Sequence, residues 1–232
     1  GQVQGIGSNL VIVTPGAPSG GGFSAPASAQ GIIITSLQQK DVDALQREPS
    51  VDAAAPMVSG QAEAVNGNNN KTVSYQGLTA DMFTVRNLTL SEGFPFSKGD
   101  VDSANHVAII GPDLAVTLFG KYVDPLQKTI RLGNLSFRVI GVLQKGGTGA
   151  FGVDQGNVVL VPITVAQKQM LGISYFNAII VQANASYDIN FVKSRMTFVL
   201  QHDHGITDPA KVDFNIQTQA DILSLLGSIT SI

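Results

Sequence analysis

The sequence contains no cysteine and few charged side chains. Charged residues make up 13% of its 232 residues, and the formal net charge is −3. Without cysteine, the chain can form no thiolate nucleophile, no cysteine-ligated metal site and no disulfide framework. The weakly negative charge and the lack of a basic cluster argue against the electrostatic footprint of a nucleic-acid-binding protein, so we expect no nucleic-acid partner.

Long apolar runs are also missing. No stretch reaches the roughly 18 apolar residues that a membrane-spanning helix needs. The chain starts at Gly1 without a signal peptide and stops at Ile232 without a polar tail. We therefore expect a piece of a longer protein.

Apolar residues are plentiful, at 44% of the chain, which is enough to bury the core of one large domain or two small ones. Periodicity predicts strand, helix and strand patterns at both ends of the chain, around a middle that is mostly β. For the N-terminal part, the predicted elements are a strand at 9–14, a helix at 36–47, strands at 51–64 and 72–78 joined by an Asn/Gly-rich turn, and a single helical turn at 81–85. In the middle, they are strands at 106–110, 128–132, 136–143 and 157–161, with short helices at 113–118 and 164–171. At the C-terminal end, they are a strand at 177–182, a helix at 188–201, a strand at 212–218 and a further helix from 221.

A glycine-rich segment in the middle fits the letters G-x-G-x-x-G of a dinucleotide-binding loop. The fingerprint requires a helix after its last glycine and an acidic residue about 20 residues further on. Here a predicted strand follows, and no acidic residue occurs between Gln155 and Tyr187. We therefore predict no cofactor and interpret the segment as a partner-contact loop; the alternative is a flexible hairpin tip with Asp154 and Asn157 at the turn. The loop consists of Gly146, Gly147, Thr148, Gly149, Ala150, Phe151 and Gly152.

Potential metal ligands cluster after the predicted helix at 188–201. They are His202, Asp203, His204, Asp208 and Asp213. An H-x-H pair with nearby carboxylates could hold a transition metal. Histidine is also favoured at a helix C-terminus, and we prefer that interpretation, which gives no metal site.

Catalytic motifs do not stand out. The sequence has neither H-E-x-x-H nor G-x-S-x-G, and we expect His106 to satisfy a turn before its strand. We predict no catalytic residues and no enzyme activity for this domain, with a hydrolase as the enzyme alternative.

An ordered series of phrases resembles the outer segment of MacB-type ABC transporter permeases. Two phrases depart from the family pattern, with Phe94 in place of an arginine and Gln127 in place of a glycine. The phrases are Gly7–Val13 with the following Pro-Gly loop, Gly77–Phe83, Glu92–Phe96, Val107–Gly111, Leu118–Gly120, Asp124–Lys128, Ile130–Gly133, Phe137–Leu143, Val161–Pro162, His204–Gly205 and Asp213–Phe214.

The resemblance implies an α+β fold with two parts. A discontinuous Porter-like subdomain of two β-α-β units would comprise residues 1–88 and 175–232. An inserted, mostly β Sabre-like subdomain would comprise residues 89–174. Membrane helices would flank both ends and hold the domain on the extracytoplasmic side of the membrane, in the periplasm or at the cell surface.

The resemblance also implies a function. Such a domain relays ATP-driven motion, or mechanotransmission, so that substrate is expelled outside the membrane. The implied partners are a second permease copy, a membrane-fusion adaptor protein and an ATP-binding domain that is fused or adjacent; the isolated domain is expected to be a monomer. Two alternatives remain open: an FtsX- or LolC-like domain that regulates a partner or extracts lipoproteins, and an extracellular ligand-binding module.

Overall fold

A computed structural model describes residues 9–16, 36–146, 154–222 and 224. The strands are β1 (Leu10–Pro15), β2 (Val51–Asn66), β3 (Asn69–Leu78), β4 (Leu90–Gly93), β5 (Val107–Ile110), β6 (Thr129–Leu132), β7 (Leu135–Leu143), β8 (Val158–Pro162), β9 (Ala178–Ala183) and β10 (Phe214–Thr218). The helices are α1 (Gln39–Gln46), α2 (Met82–Val85), α3 (Lys98–Asp102), α4 (Pro112–Phe119), α5 (Ile163–Val165) and α6 (Ile189–Asp203). A π-helical turn (Ala166–Leu171) follows α5, and a 3₁₀ turn (Pro209–Lys211) precedes β10.

The chain forms two compact units. The first contains residues 1–56 and 174–232, and the second contains residues 57–173. No helix among the described residues is both long and apolar enough to cross a membrane.

The first unit is a sheet with helices α1 and α6. Its strand order is β10-β1-β9, with the beginning of β2 beside β9. Both β9 and β10 run antiparallel to β1, so they are parallel to each other, and α6 connects them across β1. Asp188 caps α6 by accepting the N–H groups of Asn190 and Phe191, and the buried face of the helix carries Val192, Met196 and Leu200.

The second unit is built on a larger mixed sheet. The strand order is β2-β3-β8-β5-β7-β4, and β6 pairs with both β2 and β7. Strands β2 and β3 form a hairpin through Gly67 and Asn68, where Gly67 has a φ of 58° that a β-carbon would disfavour. The pairs β3–β8 and β5–β7 are parallel. Ile109, Leu114 and Phe137 are among the fully buried side chains of this unit's core.

The mixed α/β architecture confirms the predicted fold class, and the predicted strands and the helices expected at 36–47, 113–118 and 188–201 occur within a few residues of their expected positions. Most of the helix expected from 221 lies outside the described residues. Two elements were missed: β4, whose residues Leu90–Gly93 show no apolar alternation, and α3, whose five residues include Gly99. The expected helix at 164–171 is a short α-turn that widens into a π-helix and ends at Gly172, which has a φ of 63°.

The boundaries expected from the family resemblance differ from those of the compact units. Residues 57–88 belong to the second unit because β3 pairs with β2 on one side and with β8 on the other. The Porter-like and Sabre-like limits at 1–88, 175–232 and 89–174 describe family subdomains, and they stay a prediction.

Candidate functional site

The predicted contact loop lies in the chain between β7 and β8, the two strands that flank β5 in the sheet. Only Gly146 of its seven residues lies among those that the structure describes; Gly147, Thr148, Gly149, Ala150, Phe151 and Gly152 lie outside them. Because β5 and β7 are parallel, the loop leaves the sheet at the same edge at which the chain enters α4. We call the described residues on either side of it, 144–146 and 154–157, the base of the loop.

The outgoing side of the loop is held by one backbone bond and one exposed ion pair. The Gln144 N–H donates to the Thr89 carbonyl at 2.9 Å. The Lys145 ammonium lies 3.4 Å from the Asp113 carboxylate in the first turn of α4. Both charged side chains are largely exposed, so this pair contributes little stability and mainly orients the strand end.

The returning side is anchored more firmly. The Asp154 carboxylate accepts the Gly156 N–H and the Asn157 side-chain amide, each at 2.9 Å, and these hydrogen bonds, that of Asn157 first, lower the pKa of Asp154. The Gly156 carbonyl accepts the N–H groups of Asp113 and Leu114 at 3.0 Å, which satisfies two free donors at the start of α4. The described residues on both sides of the loop therefore contact the start of α4.

A groove of about 620 Å³ lies beside the returning side. Strands β2 and β3 form most of it, and Asp154 and Asn157 border it. Within it, the Lys71 ammonium donates to the Asn157 side-chain carbonyl at 2.8 Å. The lining is dominated by hydroxyl, amide and charged side chains, which differs from the enclosed apolar pocket typical of small-molecule sites.

A partly buried arginine lies next to this groove. Arg86 donates to the side-chain carbonyl of Gln76 at 2.7 Å, and Gln76, which lines the groove, is itself buried. Burial lowers the pKa of Arg86 to about 10. The guanidinium therefore places a positive charge under the β3 edge of the groove.

The histidine-rich segment of the first unit forms a buried hydrogen-bonded cluster. His204 follows the last turn of α6 as its C-cap residue, as expected. Its Nε2 atom lies 2.7 Å from Asp41 Oδ1, and its Nδ1 atom lies 2.7 Å from Asp213 Oδ1. The side chains of Asp41 and His204 are only 0% and 6% exposed, so one imidazole links α1, α6 and the start of β10 inside the protein.

The pKa values of Asp41 and His204 are both raised above their ordinary values. Burial raises the pKa of Asp41, and the adjacent Asp203 carboxylate raises it further. Burial alone would lower the pKa of His204, but the hydrogen bond to Asp213 and the charge of Asp41 raise it overall. Lys40 supplies the remaining cation, 3.7 Å from Asp203 Oδ2. The geometry is that of an imidazolium donating to two carboxylates.

Three side chains of this cluster are potential metal ligands. Asp41, Asp203 and His204 each offer one atom within 4.8 Å of the others. Both ring nitrogens, however, lie at hydrogen-bonding distance from carboxylates, and 2.7 Å is shorter than the separation of two ligands placed tetrahedrally at about 2.0–2.2 Å from one zinc ion. We therefore interpret the cluster as an ion pair that holds three elements together.

The other members of the predicted metal set lie apart from this arrangement. His202 is exposed in the last turn of α6, and Asp208 caps the 3₁₀ turn by accepting the Ala210 N–H at 3.0 Å. Asp41 is the member that sequence inspection missed, because it is 163 residues away from His204. Its only local signal was its place in the N-terminal half of the helix predicted at 36–47; in the structure it lies in the first turn of α1.

His106 was expected to satisfy a turn. Its Nε2 atom instead lies 2.7 Å from Gln169 Oε1, and its ring packs against Phe137 with centroids 5.4 Å apart. The histidine therefore connects the start of β5 to the π-helical turn, a partner that spacing along the chain could not indicate.

A family model and several curated proteins match most or all of this chain. A family model described as the MacB-like periplasmic core domain matches residues 1–197. The chain belongs to this family. It is 32% identical over 207 residues to the macrolide export ATP-binding/permease protein MacB of Pectobacterium atrosepticum, covering 89% of this chain and 31% of the relative. It is 30% identical over 231 residues to the protein of the same name from Chlorobium luteolum, covering 99% and 34%.

Solved structures share the fold. The periplasmic region of MacB from Actinobacillus actinomycetemcomitans matches with a TM-score of 0.76 at 24% identity, covering 100% of this chain and 97% of that one. The extracellular domain of the noncanonic ABC-type transporter YknZ from Gram-positive bacteria matches with a TM-score of 0.70 at 21% identity, covering 90% and 100%. The MacB-like chain thus corresponds to a whole outer domain in fold, and it spans about a third of the length of the curated relatives it matches.

Proposed function

We propose that this chain is the extracytoplasmic domain of a MacB-type transporter and that it relays ATP-driven motion to substrate outside the membrane. The observation that carries the proposal is the match to the MacB-like periplasmic core domain over residues 1–197. The curated relatives are named as macrolide export ATP-binding/permease proteins, so a macrolide is the first cargo to test. Membrane helices on both sides of the domain would anchor it on the outer face of the membrane.

Two kinds of partner belong to this proposal. A second permease copy and an ATP-binding domain, fused or adjacent, would supply the driving motion. A periplasmic adaptor protein would contact the loop at residues 146–152. The hydrogen-bonded residues that flank the loop support the second contact, because they need not become ordered when a partner binds there.

The proposal is tested by holding the outer domains together. The chain has no cysteine, and Tyr122 is 92% exposed, so Tyr122→Cys in the full-length transporter gives one defined attachment point in each copy of the domain. A cleavable bis-maleimide across two copies should stop macrolide transport, and cleavage should restore it. A mono-maleimide on the same cysteine is the control. Undiminished transport by cross-linked dimers would contradict the proposal.

Adaptor contact has its own test. Replacing residues 147–152 by six Gly/Ser residues should abolish co-purification of the adaptor encoded with the transporter, while the fold is retained. Lys98→Ala, an exposed change on α3, serves as the control and should leave adaptor binding intact. Equal adaptor recovery with the replaced loop would exclude the loop as the contact.

A further inference from the structure

Helix α6 carries two apolar faces. One packs inside the first unit through Val192, Met196 and Leu200. The other face is exposed and aromatic. We call it the α6 stripe. Its helical members are Phe191, Arg195, Phe198 and His202, and Tyr187 joins them from the residue just before the Asp188 N-cap.

The stripe is continuous along the helix. The four helical members are spaced by three or four residues, which places them along one side of α6. The rings of Tyr187 and Phe191 stack with centroids 5.6 Å apart, the Arg195 guanidinium lies 5.1 Å from the centre of the Phe198 ring, and Phe198 and His202 are parallel at 6.5 Å. Tyr187, Phe191 and Phe198 are 42%, 47% and 59% exposed.

Such a surface is unusual for the outer side of a helix. An amphipathic helix normally turns its charged and polar residues to water, opposite its buried face. Adjacent exposed aromatic rings instead mark a surface that another molecule covers.

The order of residues in the stripe is nearly symmetric. One ring pair, Tyr187 and Phe191, lies toward the N-terminus, and a second, Phe198 and His202, lies toward the C-terminus. The midpoint between the two pairs falls at Ser194 and Arg195. Ser194 is exposed and small, and its hydroxyl is folded back onto the Asn190 carbonyl at 3.0 Å, so it leaves room for a close approach.

A second copy of this chain fits the symmetry. In a two-fold contact, each copy presents the same surface, and residue pairs occur twice. Two α6 helices crossing antiparallel near Ser194 place the Tyr187–Phe191 pair of one copy on the Phe198–His202 pair of the other. We propose that the α6 stripe is the surface through which two copies of this domain meet.

Charge supports the same occupant. Arg195 is balanced by Glu48, whose carboxylate lies 3.3 Å away and is 6% exposed, so two stripes can meet without facing unpaired guanidinium groups. The antiparallel arrangement also brings Asp188 at the start of one helix near His202 at the end of the other, with the two helix dipoles opposed favourably.

The size of the stripe predicts a weak contact. The 15 residues of α6 span about 22 Å, and a helix is about 10 Å wide. A strip of that size falls short of the roughly 800 Å² that each partner buries in a stable complex. The contact should therefore need the raised local concentration that a shared membrane provides, and only in this respect does it rest on the proposed function.

The test uses single cysteines in the full 232-residue chain, which has none of its own. The chain carries a C-terminal histidine tag and is bound to vesicles that contain nickel-chelating lipid. Ser194→Cys lies at the expected two-fold axis, and Asn190→Cys, exposed on the flank of the same helix, is the matched control. A short bis-maleimide is added, and covalent dimer is measured over time on denaturing gels.

We expect Ser194→Cys to form dimer on the order of ten-fold faster than Asn190→Cys, and adding Phe198→Ala to remove most of that advantage. Equal rates at the two positions, or a Ser194→Cys rate unaffected by Phe198→Ala, would overturn the proposal. A negative result here leaves the transporter assignment intact, whereas continued transport by cross-linked outer domains would overturn the relay function without touching the stripe.

Discussion

At the scale of single residues, His204 connects the fully buried Asp41 carboxylate to Asp213. It joins two carboxylates that belong to different elements, and the only ring atoms able to hydrogen-bond are both used. Breaking a buried ion pair by removing one partner costs more than the pair contributes, because a buried charge is left without compensation. His204→Gln should therefore lower the free energy of unfolding by about 3 kcal/mol, as measured by chemical denaturation.

The cluster also predicts how stability depends on pH. Folded His204 has a raised pKa, so its contribution is complete below its ordinary value of 6.5 and is lost as the pH rises through the raised pKa. The raised pKa of Asp41 acts in the same direction, from its ordinary value of 3.8 upward. Glu48 acts oppositely: burial would raise its pKa, but hydrogen bonds from Arg195 and Ser50 lower it, and its contribution is lost as the pH falls through that lowered value.

The wild-type chain should accordingly lose stability as the pH rises from 6.5, and His204→Gln should flatten that part of the curve. His202→Gln, which changes an exposed histidine two residues earlier, should retain the wild-type slope. The facing charged groups, Asp41, Asp203, Asp213 and Lys40, remain in both variants. The same alkaline slope in wild type and His204→Gln would show that another group controls it.

At the scale of elements, we expect one face of α6 to stabilise the fold and the α6 stripe to serve association. Met196 lies on the buried face of the helix and is 0% exposed, whereas Phe198 is 59% exposed on the stripe. Met196→Ala should lower the free energy of unfolding by about 3 kcal/mol, and Phe198→Ala by less than about 1 kcal/mol. Thermal or chemical denaturation of the two variants distinguishes these values. A large loss for Phe198→Ala would mean that its ring supports the fold, and the cross-linking result would need another variant.

Local patterns predicted most elements but few of their long-range partners. The Asn/Gly-rich segment predicted the turn between β2 and β3, and the spacing of Val192 and Met196 predicted α6. The pattern could not indicate that Asp41 meets His204, because carboxylate–histidine contacts depend on tertiary packing. It also did not indicate the α6 stripe, because the apolar spacing identified only the face that carries Val192 and Met196.

For the loop at 146–152, the sequence predicted the strand that follows but not the contacts of the flanking residues. The absence of a downstream acidic residue and the strand that follows were both readable from the sequence, and the strand is present as β8. The hydrogen bonds at the base of the loop could not be predicted from the sequence. The Gly156 carbonyl bonds to α4, and Lys71 bonds to Asn157 in the turn before β8, so each contact joins distant parts of the chain. Its role in partner contact stays a prediction.

At the scale of the whole molecule, the chain should be a monomer in dilute solution. The α6 stripe is too small for a stable dimer, and the transporter's other parts would have to hold two copies together. Analytical ultracentrifugation at micromolar concentration should give the mass of a single chain, 24.3 kDa. A stable dimer under those conditions would require a larger interface than the stripe offers.

The central claim is that this outer domain moves with the ATP cycle of a MacB-type transporter. It is tested most directly by pulsed electron paramagnetic resonance on the full-length protein, with other cysteines replaced and a spin label at Ser103→Cys, an exposed position at the end of α3. The distribution of distances between the labels of two copies should differ between the nucleotide-free and ATP-bound states. Identical distributions in an enzyme that still hydrolyses ATP would contradict the account.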